Sequence, residues 1–387
     1  MKRMYKGLFF GLIFVFLVLC GCGTGRDALR SGDVVSSENS VSSVEDASSK
    51  DSMSAGDDAS SKNSVAAGED ASSKAALSAG NDVSSEESFS AGGRKLRVVA
   101  AVFPGWDWCR NVLGDNPAGM ELSLLVDNGV DLHSYQPSVD DILTIATADL
   151  FIYVGGESDE WVTNALKQAN NPDMRILKML DAVGEAAQFE ETVDGMQPET
   201  DEDEEETAEY DEHVWLSLRN AEAVTEAICR ELSAIDPEHA AVYEKNAADY
   251  AAKLDALDRA YSEMVEKAPL HTLLFGDRFP FRYLTEDYGL DYYAAFSGCS
   301  AETEASFETI MFLAHKVDEL GLGTVLTIDG GDKRIAETIV QNTAGKNQQI
   351  LTLDSIQSVS SKDIEEGITY LSIMESNLNI LQQALEG

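Results

Sequence analysis

Base is scarce in this chain. Its 387 residues hold 28 lysines and arginines against 69 aspartates and glutamates, a formal net charge of −41. So acidic a molecule repels polyanions, which argues against nucleic acid as a partner. Histidine is rarer still, at five, and cysteine also numbers five. The apolar run Leu8–Leu19 has twelve residues, interrupted by Gly11, whereas a bilayer core needs about 20. Catalytic signatures are absent as well. No His-Glu-x-x-His, no Gly-x-Ser-x-Gly and no phosphate-cradling glycine loop occurs. The nearest approach, the turn Asp329-Gly330-Gly331-Asp332, can open a helix but lacks the rest of a phosphate loop. The chain reads as a binding protein, not an enzyme.

What is present at the start is an export signal. Lys2, Arg3 and Lys6 precede the apolar run, and Leu19-Cys20-Gly21-Cys22 closes it. That ending resembles a bacterial lipobox. Cys22 suits acylation better than Cys20, because small Gly21 precedes it while bulky Leu19 precedes Cys20. An ordinary secretory signal cut nearby is the alternative. Residues 1–22 are therefore expected to be a lipoprotein signal peptide. Acylated Cys22 would hold the protein on the extracellular face of the cell membrane, since more than one acyl chain anchors stably.

From 23 to 94 the composition narrows to Ser, Ala, Asp, Glu, Gly and Lys. Asp-Ala-Ser-Ser-Lys recurs at 46–50, 58–62 and 70–74, with a variant at Asp82–Glu86. A twelve-residue period is too short for a solenoid, and the units lack core-forming residues. The segment reads as a disordered tether with a root-mean-square reach of about 40–50 Å.

The remainder, about 290 residues, is enough for two lobes. Strand-like runs at 96–103, 122–126, 150–154 and 175–180 alternate with amphipathic segments, and a second set lies at 272–275, 290–296, 324–328 and 349–353. That alternation predicts an α/β fold with two lobes, each a mostly parallel sheet flanked by helices. The lobes are expected at 95–235 and 269–387. Between them, 236–268 predicts one long rigid helix. Asp236 is its candidate cap, Pro237 fits the first turn, and Pro269 ends it. Tyr243, Ala247, Tyr250, Leu254, Leu257, Tyr261 and Met264 form its apolar stripe. Three tyrosines and an alanine suit packing against two lobes better than a coiled-coil seam.

Two of the five histidines lie in motifs suited to presenting an imidazole to a metal ion. These are Asp131-Leu132-His133-Ser134-Tyr135-Gln136-Pro137-Ser138 and Asp211-Glu212-His213-Val214-Trp215-Leu216-Ser217. The plainer alternative is a histidine satisfying a turn or capping a helix. Glu199 to Glu212 places ten carboxylates in fourteen residues, and such a run repels itself and reads as a disordered loop. Beside a metal site it would act as a weak collector of cations.

Together with the long helix and the segments Phe275–Leu284, Asp287–Leu290 and Val325–Asp329, these motifs resemble a known family. It is the zinc/manganese-type (ZnuA/TroA-like) substrate-binding lipoproteins of metal-uptake ABC transporters. The likeness covers about residues 95–387. It implies four metal ligands, His133 and His213 in the first lobe and Asp277 and Asp329 in the second. It also implies Zn2+ as the transported ligand, with Mn2+ the alternative, and an ABC permease with its ATPase as partners. A surface adhesin or a metal sensor could use the same lobes. The chain departs from the family at Asp277, where zinc members carry a third histidine and manganese members a glutamate. Asp277 as a helix cap is the alternative there. His271 is the fallback ligand, although it falls at the wrong end of its strand; His239 and His315 are expected to face solvent.

Cys109 and Cys299 each follow a predicted strand, which places them near a cleft. An export location permits a disulfide between them, but two free thiols are the expectation. Cys229, in a helical context, reads as core. A thiolate ligand to the metal is the sharper alternative.

Overall fold

In the computed structural model, residues 94–197, 209–300 and 304–387 are described. The expected signal peptide with Cys22, the tether up to residue 93, and most of the acidic run lie outside them. Arg94 is already tied to the folded part, with Nη2 2.5 Å from Asp149 Oδ1.

Eight strands form two four-stranded sheets. The first holds β1 (Arg97–Ala100), β2 (Glu121–Leu124), β3 (Leu150–Tyr153) and β4 (Arg175–Lys178). The second holds β5 (Thr272–Phe279), β6 (Asp291–Ser297), β7 (Thr324–Ile328) and β8 (Gln349–Leu353). Every pairing is parallel, and both sheets have the same order, β2-β1-β3-β4 and β6-β5-β7-β8. Parallel strands need crossovers, which the helices supply. In the first lobe the crossovers are α1 (Phe103–Leu113), α2 (Val139–Ala146) and α3 (Glu160–Leu166), followed after β4 by α4 (Met179–Val183) and α5 (Leu218–Ile235). After α6 (Ala240–Lys267) come α7 (Arg282–Tyr288), α8 (Phe307–Leu320), α9 (Arg334–Asn342), α10 (Ser361–Glu365) and α11 (Tyr370–Glu386). No described helix is long and apolar enough to cross a membrane.

Helices on both faces explain the apolar strands. Val98, Val99, Leu150, Phe151 and Ile152 are all buried, as are Val325 and Leu326. The first predicted strand is shorter than expected, because Phe103 and Pro104 already open α1. The predicted strand 272–275 is longer, running on to Phe279 through a register shift between Phe275 and Arg278. Gly276 lies at that shift, where a Cβ would come within 2.6 Å of Ala336 Cα on α9. The bulge and the missing side chain let sheet and helix close together.

The long helix is present, but its entry differs from expectation. Asp236 does not cap it; Asp236 terminates α5, and Pro237 occupies the turn between the two helices. The Asp236 carboxylate lies 2.7 Å from His239 Nδ1 and accepts from Tyr243 Oη at 2.6 Å, and that engagement outcompetes capping. Tyr243, Ala247, Tyr250, Leu254, Leu257 and Tyr261 are buried, with Val265 completing the stripe and Met264 at its margin. The helix serves both lobes. Asn246 donates to Val112 O, Tyr261 Oη donates to Met374 O, and the Tyr261 ring stacks on Tyr288. One apolar core runs from the first sheet through α6 to one face of the second sheet, and a smaller core lies on the other face.

Two further expectations change. The acidic run is not free up to its end, because Asp211 and Glu212 are 2% and 1% exposed. Phe189 bridges Tyr210 with stacked rings, and the main chain of 188–190 bonds to 209–211, which anchors the base of the run. Cys109 is not at a cleft. It sits fully buried inside α1, and Cys109, Cys229 and Cys299 are all free thiols.

Candidate metal centre

Both histidines use one three-residue device. In Asp131-Leu132-His133 and Asp211-Glu212-His213 the aspartate accepts a hydrogen bond from the histidine backbone N–H, at 3.0 and 2.8 Å. Each pairing sets up a short 3-10 turn, Leu132–Ser134 or Val214–Leu216. Asp211 does more: its Oδ1 also lies 2.9 Å from His213 Nδ1. An ionised carboxylate only accepts, so Nδ1 carries a proton and Nε2 is the nitrogen left to meet a metal ion. His133 Nδ1 is 2.7 Å from Ser158 Oγ, on the short turn that follows β3.

With both Nδ1 atoms engaged, the other nitrogens meet. His133 Nε2 stands 3.2 Å from His213 Nε2, with the rings tilted by 56°. Two lone pairs facing each other at this distance repel unless a proton or a cation lies between them. Two nitrogens bound to one tetrahedral zinc at 2.0–2.1 Å would be roughly 3.3 Å apart. The pair is already spaced for a metal ion.

Burial lowers the proton affinity of His213, but the Asp211 charge and hydrogen bond outweigh it and hold the imidazole above its ordinary value. Burial and the neighbouring His213 push His133 down to about 3. His133 is therefore neutral at neutral pH and free to ligate. Glu212 stands behind the pair. Its Oε1 accepts from Ser158 N at 2.7 Å, while its buried Oε2 has no partner and lies 3.8 Å from His133 Nδ1. Burial pushes this carboxyl up to about 7.

A cavity of about 440 Å³ opens beside His133, at the carboxyl ends of the strands where parallel sheets bind ligands. Asp131 and His133 line one side; Asp277, Arg278 and Asp329 line the other. Asp277 sits at the β5 bulge, not at a helix start. Its Oδ1 accepts from Arg278 N at 2.9 Å and its Oδ2 from Ile328 N at 3.1 Å. Asp329 follows β7. Its Oδ1 accepts from Ser355 N and Oγ, both at 2.6 Å, and its Oδ2 from Ser358 Oγ at 2.5 Å. Burial and the Asp329 charge push neighbouring Asp354 up to about 7. Gln357 lines the same cavity with both amide atoms buried and unpartnered.

The four residues singled out in the sequence are thus two touching imidazoles and two carboxylates on the cavity's other wall. A tighter group exists among the described residues: the ligand atoms of His133, His213 and Cys299 lie within 4.8 Å of one another. His271 is exposed at the opposite end of β5, and His315 is exposed on α8. His239 is half-buried against Asp236, not fully in solvent. Sequence reasoning missed Ser158 and the buried roles of Asp211 and Glu212. The repeated Asp-x-His spacing was the available signal for Asp211; Ser158 had none, since it arrives from another strand.

Residues 98–384 match the family described as zinc-uptake complex component A, periplasmic. The chain belongs to this family. It is 30% identical over 295 residues to the zinc-binding lipoprotein AdcA of Streptococcus pneumoniae, covering 76% of this chain and 56% of that protein. It therefore spans little more than half the length of the AdcA proteins it matches. It is 26% identical over 296 residues to the high-affinity zinc uptake system protein ZnuA of Bacillus subtilis, covering 76% of this chain and 88% of that protein. Among solved structures, the Zn(II)-bound ZnuA-like domain of Streptococcus pneumoniae AdcA superposes with a TM-score of 0.59 at 29% identity. It covers 76% of this chain and 100% of that one.

Proposed function

We propose that this chain captures a divalent transition metal outside the cytoplasmic membrane and delivers it to an ABC permease and its ATPase. Zinc is the expected cargo and manganese the alternative. The observation that carries this reading is the convergence of His133 Nε2 and His213 Nε2 at 3.2 Å, with both Nδ1 atoms tied to fixed partners. Nitrogen donors facing carboxylates Asp277 and Asp329 make a mixed set that suits zinc and tolerates manganese. Each carboxylate offsets one charge of a divalent ion. Release from so neutral a site then needs a driving event, which docking to the permease supplies.

Residues 1–22 act in this reading as the signal peptide, acylated Cys22 as the anchor, and 23–94 as the tether that lets the lobes move above the membrane. Family membership and the names of the relatives support this reading, as do the absent catalytic motifs for a carrier over an enzyme.

Calorimetry with zinc tests the site. His133→Ala and His213→Ala are each expected to weaken binding by about tenfold or more, or about 1.4 kcal/mol. Unchanged binding in both variants would overturn the assignment. Zinc accumulation in cells lacking the protein separates transport from adhesion, and loss of acyl labelling in Cys22→Ser tests the anchor.

A further inference from the structure

We propose that Cys299 is a thiolate ligand of the captured metal, completing a two-nitrogen, one-sulfur core with His133 and His213. The inference rests on the metal-carrier reading above and deepens it by favouring zinc over manganese.

Cys299 follows β6, at the same carboxyl-end rim that carries the other candidate ligands. Its sulfur and one ring nitrogen of each histidine fall within one 4.8 Å group, a group neither Asp277 nor Asp329 joins. On a tetrahedral zinc, with Zn–S at 2.3 Å and Zn–N at 2.0–2.1 Å, a sulfur and a nitrogen stand roughly 3.6 Å apart. A sulfur within 4.8 Å of a ring nitrogen of each histidine is at most roughly 1 Å beyond ligand spacing, and His133 Nε2 and His213 Nε2 already stand at theirs.

The approach is built in, because Gly298 brings the chain against the His213 ring. A Cβ there would lie 3.1 Å from His213 Cε1 and 3.0 Å from Phe279 O, so a side chain would push the loop away from the imidazole. Glu190 Oε1 accepts from Cys299 N at 3.0 Å and the same carboxylate accepts from the thiol, which pins the residue to the base of the acidic run. Asp277, by contrast, has both oxygens on main-chain amides and bridges β5 to β7. The three-ligand core leaves one position for a carboxylate of the facing wall.

As the metal–sulfur bond forms, the thiol proton leaves to solvent. A thiolate is a soft ligand that zinc accepts well, whereas manganese prefers oxygen. Cys299 thus supplies a selectivity that two imidazoles and carboxylates lack.

Cobalt(II) reports the donor set directly. The full chain is titrated with cobalt under reducing conditions, as wild type and as Cys299→Ser. The wild type is expected to show visible d–d bands and a near-ultraviolet thiolate-to-cobalt charge-transfer band. Cys299→Ser should keep the d–d bands, which also shows that the variant folds, and lose the charge-transfer band. That difference isolates Cys299 from the other four cysteines. Zinc affinity should fall by about tenfold or more in the variant, and manganese affinity by less. A charge-transfer band that is absent from the wild type, or that survives the substitution, overturns the proposal while leaving the carrier reading standing. No d–d bands in either protein would overturn the carrier reading itself.

Discussion

Arg278 Nη2 lies 2.5 Å from Asp131 Oδ2, joining the two lobes across the cavity. Asp131 holds the His133 backbone N–H with its other oxygen, and Arg278 follows Asp277 directly, so this ion pair is attached to both walls of the site. Burial alone would raise the Asp131 carboxyl, but the Arg278 charge and hydrogen bond hold it below its usual range.

Breaking that latch should act on kinetics more than on affinity. Arg278→Gln is expected to speed zinc loss several-fold while changing equilibrium binding less, because a part-exposed pair is worth about 1 kcal/mol or under. Stopped-flow release into a chelator checks it. An unchanged release rate would show that the pair does not restrain opening.

The partner of His213 sets a second expectation. Asp211→Asn keeps the side chain's shape but removes the charge that fixes the Nδ1 proton. Zinc affinity should fall by about 10–100-fold, the usual cost of losing such a support. Calorimetry beside Asp211→Glu distinguishes charge from geometry: only the asparagine variant should lose most of the binding.

Charge in the acidic run should matter for speed. Replacing Glu199 and the six carboxylates at 201–206 by amides is expected to leave affinity within about a few-fold. Capture of dilute zinc should slow at low salt, and the difference should vanish at high salt as screening shortens the field. Abolished binding would mean that the run contains true ligands.

The long helix is a spine with little tolerance. Leu254 is fully buried midway along α6, and Leu254→Ala should cost about 2–5 kcal/mol. Chemical denaturation measures it. Because one core joins α6 to both lobes, metal loading should tilt them only modestly. A large contraction in the radius of gyration by small-angle scattering would contradict the spine.

Local chemistry explains what the chain alone disclosed. Parallel strands buried on both faces must be apolar, so β1, β3 and β7 were legible as short runs of Val, Ile, Leu and Phe between amphipathic helices. The stripe from Tyr243 to Tyr261 announced α6 because spacings of three and four put it on one face. His133 and His213 stood out because each motif is contiguous. Tertiary contact decided the rest. Only folding brings two imidazoles 80 residues apart to 3.2 Å, since that spacing depends on two separate turns at the rim of one sheet. Only folding places Ser158 beneath one ring and Gly298 beside the other. Asp236 passed for a helix cap because capping is a local preference, and the competing Tyr243 hydroxyl becomes available to it only once α6 has formed. Asp211 and Glu212 passed for the end of a self-repelling run, because sequence counts charges but not the amides and imidazole that bury them. Periodicity reveals which faces are apolar; ligand geometry is a property of where separate strands end.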